Sequence, residues 1–220
     1  MKLELVLAID TSTSVDTSEF ELQKHGLALA FRHPSIVRAI ETIGELGMVA
    51  TVVQWSSNGK HLTAVDWAAI RDADSAKQFA DAIDAMPRLL TGFTGIASAI
   101  RFSLEKIEEN NYMGERKVID ISGDGASSSG EPGLERDRAI ARGVTVNGLA
   151  ILTSDPDFME LGLTEYYADN VVGGRGAFLM TADGFEDFVT VIRKKLIREI
   201  TSPGVAMMNG QTIKNHSNGG

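Results

Sequence analysis

Two kinds of apolar pattern alternate along this chain. Leu3 to Ile9, Gly47 to Trp55 and Val144 to Leu152 are short, largely apolar runs, and Arg116 to Ser122 is a further strand built on Val118, Ile119 and Ile121. Continuous runs of that length mark strands covered on both faces. Between them, apolar residues recur at helical spacing: Phe20, Leu27, Leu29 and Phe31, then Phe79, Ala82, Ile83 and Met86. Helices are also expected over Ile96 to Ile107, Leu134 to Ala141, Leu161 to Asn170 and Phe185 to Ile200. The boundaries carry their own chemistry. Asp16 and Glu19 form a capping box at the first helix, and Pro34 stops it before a short helix over Ser35 to Ile43. Asp74-Ser75 starts the next helix and Pro87 ends it, while Gly143 suits a left-handed C-cap. Ser57-Asn58-Gly59 is a turn, making His61 to Val65 an antiparallel partner of the second strand. Ala177 to Thr181 is a last short strand.

Strands alternating with helices over the whole length predict an α/β fold. The expected architecture is a doubly wound, mostly parallel six-stranded sheet with one antiparallel edge strand and helices on both faces. One domain spans residues 1–200. From Thr201 onward Gly, Asn and Ser dominate, which predicts a flexible tail over 201–220.

Composition narrows the function. The 220 residues carry a net charge of -9, from 21 basic and 30 acidic side chains. That balance argues against nucleic acid or an anionic membrane surface as partner. The absence of cysteine rules out disulfides, zinc–thiolate sites and thiol nucleophiles. No apolar run reaches membrane-spanning length, so no membrane insertion is expected. Met1-Lys2 leads directly into the first strand, without a secretory leader in this sequence.

The chemistry concentrates where strands empty into loops. The first strand ends in Asp10-Thr11-Ser12-Thr13-Ser14, placing hard oxygen ligands at alternate positions in Asp10, Ser12 and Ser14. Doubly wound sheets bind ligands outside the carboxyl ends of their strands, at the switch point. Two more loops lie on that edge: Thr91-Gly92-Phe93-Thr94-Gly95 carries Thr94, and Gly123-Asp124-Gly125 carries Asp124. Two carboxylates, two serines and a threonine suit a small hard cation. Plainer readings stand beside this one. The first loop could be an Asx-type turn, Thr94 a helix cap with Thr91 a competing ligand, and Asp124 a turn residue. Asp16 is better explained by capping than by a second ion. Gly173-Gly174-Arg175-Gly176 lacks the Lys-Ser/Thr ending of a phosphate loop and reads as a tight turn. His25, His33, His61 and His216 have no metal-ligand spacing, His25 and His33 being surface positions on a helix. Trp55 and Trp67 read as sheet-edge packing.

Asp10-Thr11-Ser12-Thr13-Ser14, Thr94 and Asp124, taken in order on their loops, resemble the metal-ion-dependent adhesion site (MIDAS) of von Willebrand factor A domains. Together with Val53-Gln54-Trp55-Ser56, Ile121-Ser122-Gly123-Asp124-Gly125 and Val172–Phe178, the chain is most similar to an uncharacterised bacterial von Willebrand factor A-like family. The resemblance covers about residues 3–200. It implies that Ser12 and Ser14 bind the ion directly, Thr94 directly or through water, and Asp10 and Asp124 through metal-bound waters. The ion implied is Mg²⁺, with Mn²⁺ or Ca²⁺ as alternatives. The remaining coordination position would take a Glu or Asp from a protein partner. Members of the family are typically exported, which implies a periplasmic or secreted protein if a leader was removed, and a cytoplasmic one if the chain is complete.

The function expected is a non-enzymatic, metal-dependent protein-binding module. A metal-assisted hydrolase is the alternative, but no residue is placed as a general base and Ser127-Ser128-Ser129 has no activating partner. An accessory subunit of an ATPase or chaperone assembly is a third reading, by family analogy alone. The long helix over Phe185 to Ile200 is the element that a ligand-linked shift would move.

Overall fold

The structure, a computed structural model, describes residues 1–153 and 160–202. In chain order its elements are β1 (Leu3–Asp10), α1 (Thr17–Arg32), α2 (Pro34–Thr42), β2 (Met48–Trp55), β3 (His61–Ile70), α3 (Ala73–Ala85) and α4 (Ile96–Glu109). They continue with β4 (Arg116–Gly123), α5 (Pro132–Ala141), β5 (Val144–Leu152), α6 (Glu160–Asn170), β6 (Leu179–Asp183) and α7 (Gly184–Thr201). The strands form one six-stranded sheet in the order β3-β2-β1-β4-β5-β6. Every neighbouring pair is parallel except β2–β3, which is antiparallel. The predicted sheet is therefore the observed one. The stretch 203–220, most of the expected tail, lies outside the described residues.

β1 sits at the centre and is buried along its whole length. Its side chains alternate between two cores, as the period of a strand requires. Leu3, Leu5, Leu7 and Ile9 pack with Phe20, Leu27, Phe79, Phe188 and Leu196 of α1, α3 and α7. Val6 and Ala8 face the other way, with Ile96, Ile100, Ala139, Leu163 and Tyr167 of α4, α5 and α6. Burying such a side chain contributes roughly 1.5–3 kcal/mol. The alternation also fixes the direction of the next residue. Asp10 continues the Val6–Ala8 side, toward α4 and α6.

Several boundaries depart from expectation for local reasons. β3 runs on to Ile70 instead of ending at Val65, because a register shift in β2 between Ala50 and Val52 lets Ala68, Ala69 and Ile70 pair with Ala50, Val49 and Met48. The exposed Asp66 interrupts its apolar pattern. Asp72, not Asp74, caps α3: its carboxylate accepts from Ser75 N at 2.8 Å, and Ser75 Oγ accepts from Asp72 N at 3.1 Å. The last strand is displaced by two residues, to Leu179–Asp183. His33 ends α1 and starts α2, its ring nitrogen accepting from Ser35 N at 3.1 Å, which places Pro34 where a missing N–H is harmless. The capping box of Asp16 and Glu19 is present as expected. Trp55, expected at the sheet edge, is instead completely buried in the interior of the α4–α6 core.

α7 is tied to the sheet by a buried ionic cluster. Lys195 Nζ stands 2.5 Å from both Asp120 Oδ1 on β4 and Glu199 Oε1 one turn along. Asn147 Nδ2 on β5 donates to the same Glu199 oxygen at 3.1 Å. One buried cation faces two buried carboxylates. Burial, and next the neighbouring Glu199 charge, push the Asp120 carboxyl up to about 7. A carboxyl raised in the folded state keeps its proton where the unfolded chain has lost it, so this contribution to stability falls as pH rises from about 4 to 7. Lys195→Met is expected to cost about 3–5 kcal/mol in denaturant unfolding at pH 7, since it strands two buried carboxylates. The loss should shrink at pH 5, where Asp120 is protonated; an equal loss at both pH values would contradict this account of the cluster.

Candidate metal centre

The site forms where β1 and β4 release their chains at the switch point of the sheet, between helices that leave to opposite faces. Asp10, the last residue of β1, is completely buried. Its Oδ1 accepts from Ser12 N at 2.7 Å. The Asx-type turn expected as the plainer reading is thus real, and it is the device that brings the next two serines round. Ser12 Oγ and Ser14 Oγ lie 3.0 Å apart, and Ser14 Oγ donates to Asp124 Oδ1 at 2.7 Å. Asp124 stands one residue beyond β4 and is 7% exposed, while Ser14 is on the exposed rim.

Thr94 joins from the third loop. A Cβ placed on Gly125 would lie 3.6 Å from its Oγ1, so the hydroxyl faces the loop that carries Asp124. Its carbonyl accepts from Ser128 N at 2.8 Å. The cap of α4 is Gly95, which makes no side-chain capping bond, so Thr94 is not a helix cap. The structure thus links Asp10, Ser12, Ser14 and Asp124 through hydrogen bonds and sets Thr94 beside the loop that carries Asp124. Thr91, the competing candidate, is exposed and its carbonyl accepts from Lys60 Nζ at 3.4 Å.

Residues that the sequence did not single out hold these loops in place. Arg88 Nη2 donates to the carbonyls of Thr11, Ser12 and Val15 at 3.1, 2.9 and 2.6 Å. The Gln54 side chain bonds Pro87 O at 2.7 Å and Leu89 N at 2.9 Å. Thr13 N and Oγ1 both donate to Gly92 O, at 2.7 and 2.9 Å. Gly95 must be glycine, because a Cβ there would stand 2.6 Å from the Ser56 carbonyl. A single Arg after a proline carries no motif; only the folded loop reveals the three carbonyls that need its guanidinium.

The donor set fits a hard divalent cation. Asp10 Oδ2 is buried with no hydrogen-bond partner. Burial, and after it the charge of Asp124, push the Asp10 carboxyl up to about 8, against the weaker pull of the Ser12 hydrogen bonds and Arg88. A cation would relieve both effects. An octahedral ion about 2.1 Å from each oxygen spaces adjacent ligands about 3.0 Å apart. The separation of the two serine hydroxyls here, 3.0 Å, is that of such an edge. Among the described residues no group of three or more His, Cys, Asp or Glu is arranged to hold an ion. Three of the five candidate donors are hydroxyls, those of Ser12, Ser14 and Thr94.

The chain matches, over residues 1–204, the family described as "Protein of unknown function (DUF1194)". It belongs to that family. No curated protein matches it. Solved structures give this DUF1194 chain its fold. Proximal thread matrix protein 1 from the mussel byssus superposes with a TM-score of 0.67 at 19% identity, covering 91% of this chain and 48% of that one. A second structure of the mussel protein is described as having a zinc-occupied MIDAS motif, with a TM-score of 0.63 at 18% identity and the same coverage of 91% and 48%. The DUF1194 chain spans about half the length of that protein. The SpRpn10 VWA domain follows with a TM-score of 0.59 at 13% identity, covering 87% and 95% of the two chains. An aerotolerance-related membrane protein from Bacteroides fragilis has a TM-score of 0.56 at 16% identity, covering 91% and 100%. The fold of the DUF1194 chain is that of a von Willebrand factor A domain.

The raised Asp10 carboxyl has a measurable consequence. Between about pH 4 and 8 the folded protein keeps this proton and the unfolded chain does not, so metal-free stability falls as pH rises through that window. Asp10→Asn removes the titration. In chelator, its melting temperature is expected to exceed that of the wild type at pH 8 and to converge with it near pH 4. A difference independent of pH would contradict the assignment.

Proposed function

We propose that this protein is a divalent-metal-dependent binding module that grips an acidic side chain of a protein partner. The observation that carries the reading is the buried, unpartnered Asp10 Oδ2 behind a connected set of hydroxyl and carboxylate oxygens that opens to the surface at Ser14. In this reading Ser12, Ser14 and Thr94 supply neutral ligands. Asp10 and Asp124 supply the charge, held back from the ion by bound water. Neutral direct ligands leave the ion electron-poor, so a carboxylate from outside is an effective last ligand. Mg²⁺ is the expected ion, with Mn²⁺ and Ca²⁺ as alternatives. The zinc-occupied MIDAS of the mussel protein supports a divalent ion on this fold. Phe93, beside Thr94, is 78% exposed although its backbone N–H is fixed to Ser57 Oγ at 2.8 Å, which gives a partner a rigid apolar contact next to the ion.

The site hydroxyls favour binding over hydrolysis. They are bonded to one another and to Asp124, and among the described residues no histidine is hydrogen-bonded to them to activate them as nucleophiles. Calorimetric titration with Mg²⁺, Mn²⁺ and Ca²⁺ is expected to show one site, weakened at least 10–100-fold by Asp10→Ala or Asp124→Ala, the effect typical of losing an outer-sphere partner. Partner capture with Mg²⁺ should disappear in chelator and in Asp10→Ala. Absence of binding by all three ions would defeat the proposal, and metal-dependent turnover of ester or phosphoester substrates would replace it with the hydrolase reading.

A further inference from the structure

Below the candidate centre, on the α6 side of the sheet, a second polar group meets Asp10. Tyr167 is completely buried, and its hydroxyl has no hydrogen-bond partner. A Cβ built on Gly123 would lie 2.8 Å from Tyr167 Oη and 2.8 Å from Asp10 Oδ2, with the Trp55 ring 3.2 Å away. The two unpartnered oxygens therefore flank the same glycine, where β4 passes β1. Glycine is required there because any side chain would displace both. An unsatisfied buried hydroxyl is destabilising, and a phenylalanine would fill the same apolar walls without that penalty. A donor without an acceptor beside an acceptor without a donor is a pair set to join. The neighbouring Tyr166 reaches the other loop, its hydroxyl accepting from Ser127 N at 3.2 Å. Consecutive residues of α6 thus touch the loops of both site carboxylates.

We propose that Tyr167 is a positioning residue of the metal centre: with the ion bound, its hydroxyl donates to Asp10 Oδ2 and fixes the carboxylate, leaving the second lone pair of that oxygen for a metal-bound water. Asp10 is then held from both ends, by Ser12 N–H at Oδ1 and by the phenol at Oδ2. The inference rests on the metal reading above. It makes α6 the element that senses whether the centre is filled.

The chain has three tyrosines, Tyr112, Tyr166 and Tyr167, so a tyrosine signal can be assigned with two variants. The experiment adds Mg²⁺ to the full chain and records the near-ultraviolet tyrosine difference spectrum. Mn²⁺ affinity is measured by calorimetry on wild type, Tyr167→Phe and Tyr166→Phe. The wild type is expected to show a tyrosine difference band that persists in Tyr166→Phe and vanishes in Tyr167→Phe. Tyr167→Phe should bind Mn²⁺ about tenfold more weakly, the lower end of the range for outer-sphere partners. Its melting temperature in chelator should equal or exceed that of the wild type, which a purely structural role would not allow. Wild-type Mn²⁺ binding that Tyr167→Phe matches within about twofold, or a wild type with no tyrosine band, overturns the role of Tyr167 and leaves the metal centre standing. No Mn²⁺ binding by the wild type overturns both.

Discussion

Asp10 ends the central strand of the sheet, buried on every side and bonded to the next turn of its own loop through only one of its oxygens. A carboxylate in that position is costly to ionise, more so with Asp124 across the loop. Much of the surrounding architecture is accommodation of this one group. Arg88 satisfies three carbonyls of the loop that follows Asp10, Gln54 fixes the segment that carries Arg88, and Gly95 lets the third loop lie flat against Ser56. A cation would satisfy the Asp10 oxygen that the described residues leave unpartnered.

The same sheet carries a second buried charge cluster, and the comparison is instructive. Asp120 faces the α7 side and has Lys195 at 2.5 Å, so its compensation is built in. Asp10 faces the α4–α6 side, where the described residues place no lysine or arginine nitrogen on its carboxylate. Two carboxylates on adjacent strands, at comparable burial, are thus handled differently: one by an internal cation, the other by oxygens that suit an external one. The first anchors α7 and serves the fold. The second opens at Ser14 to the surface, which is what a binding site needs.

The sheet was legible because β1 and β2 are nearly continuous apolar runs and its helices are bounded by Asp16, Pro34 and Pro87, signals that act within a few residues. The candidate ligand residues stood out for a related reason. Asp10, Ser12 and Ser14 are residues that an apolar strand expels, and they are found where it ends. The features that stayed hidden act across the fold. Arg88 is 76 positions from Ser12. Tyr167 comes near Asp10 only because α6 packs on β5 and its ring reaches across to Gly123 of β4, and nothing in its own helix marks it. Trp55 looked like edge packing because a bulky aromatic beside a turn usually is; β2 is interior, since β3 covers its outer side. The true length of β3 and the choice of Asp72 over Asp74 depended on register and on which Asp can reach Ser75, neither of which the residue types decide.

The most direct test of the account is a crystal structure grown with Mn²⁺ and recorded at the manganese edge. The account predicts a single anomalous peak within coordination distance of Ser12 Oγ and Ser14 Oγ, facing Thr94, with Asp10 and Asp124 in the water shell and Tyr167 Oη moved into contact with Asp10 Oδ2. A well-ordered loop with no anomalous peak there, or a peak elsewhere on the molecule, would contradict it.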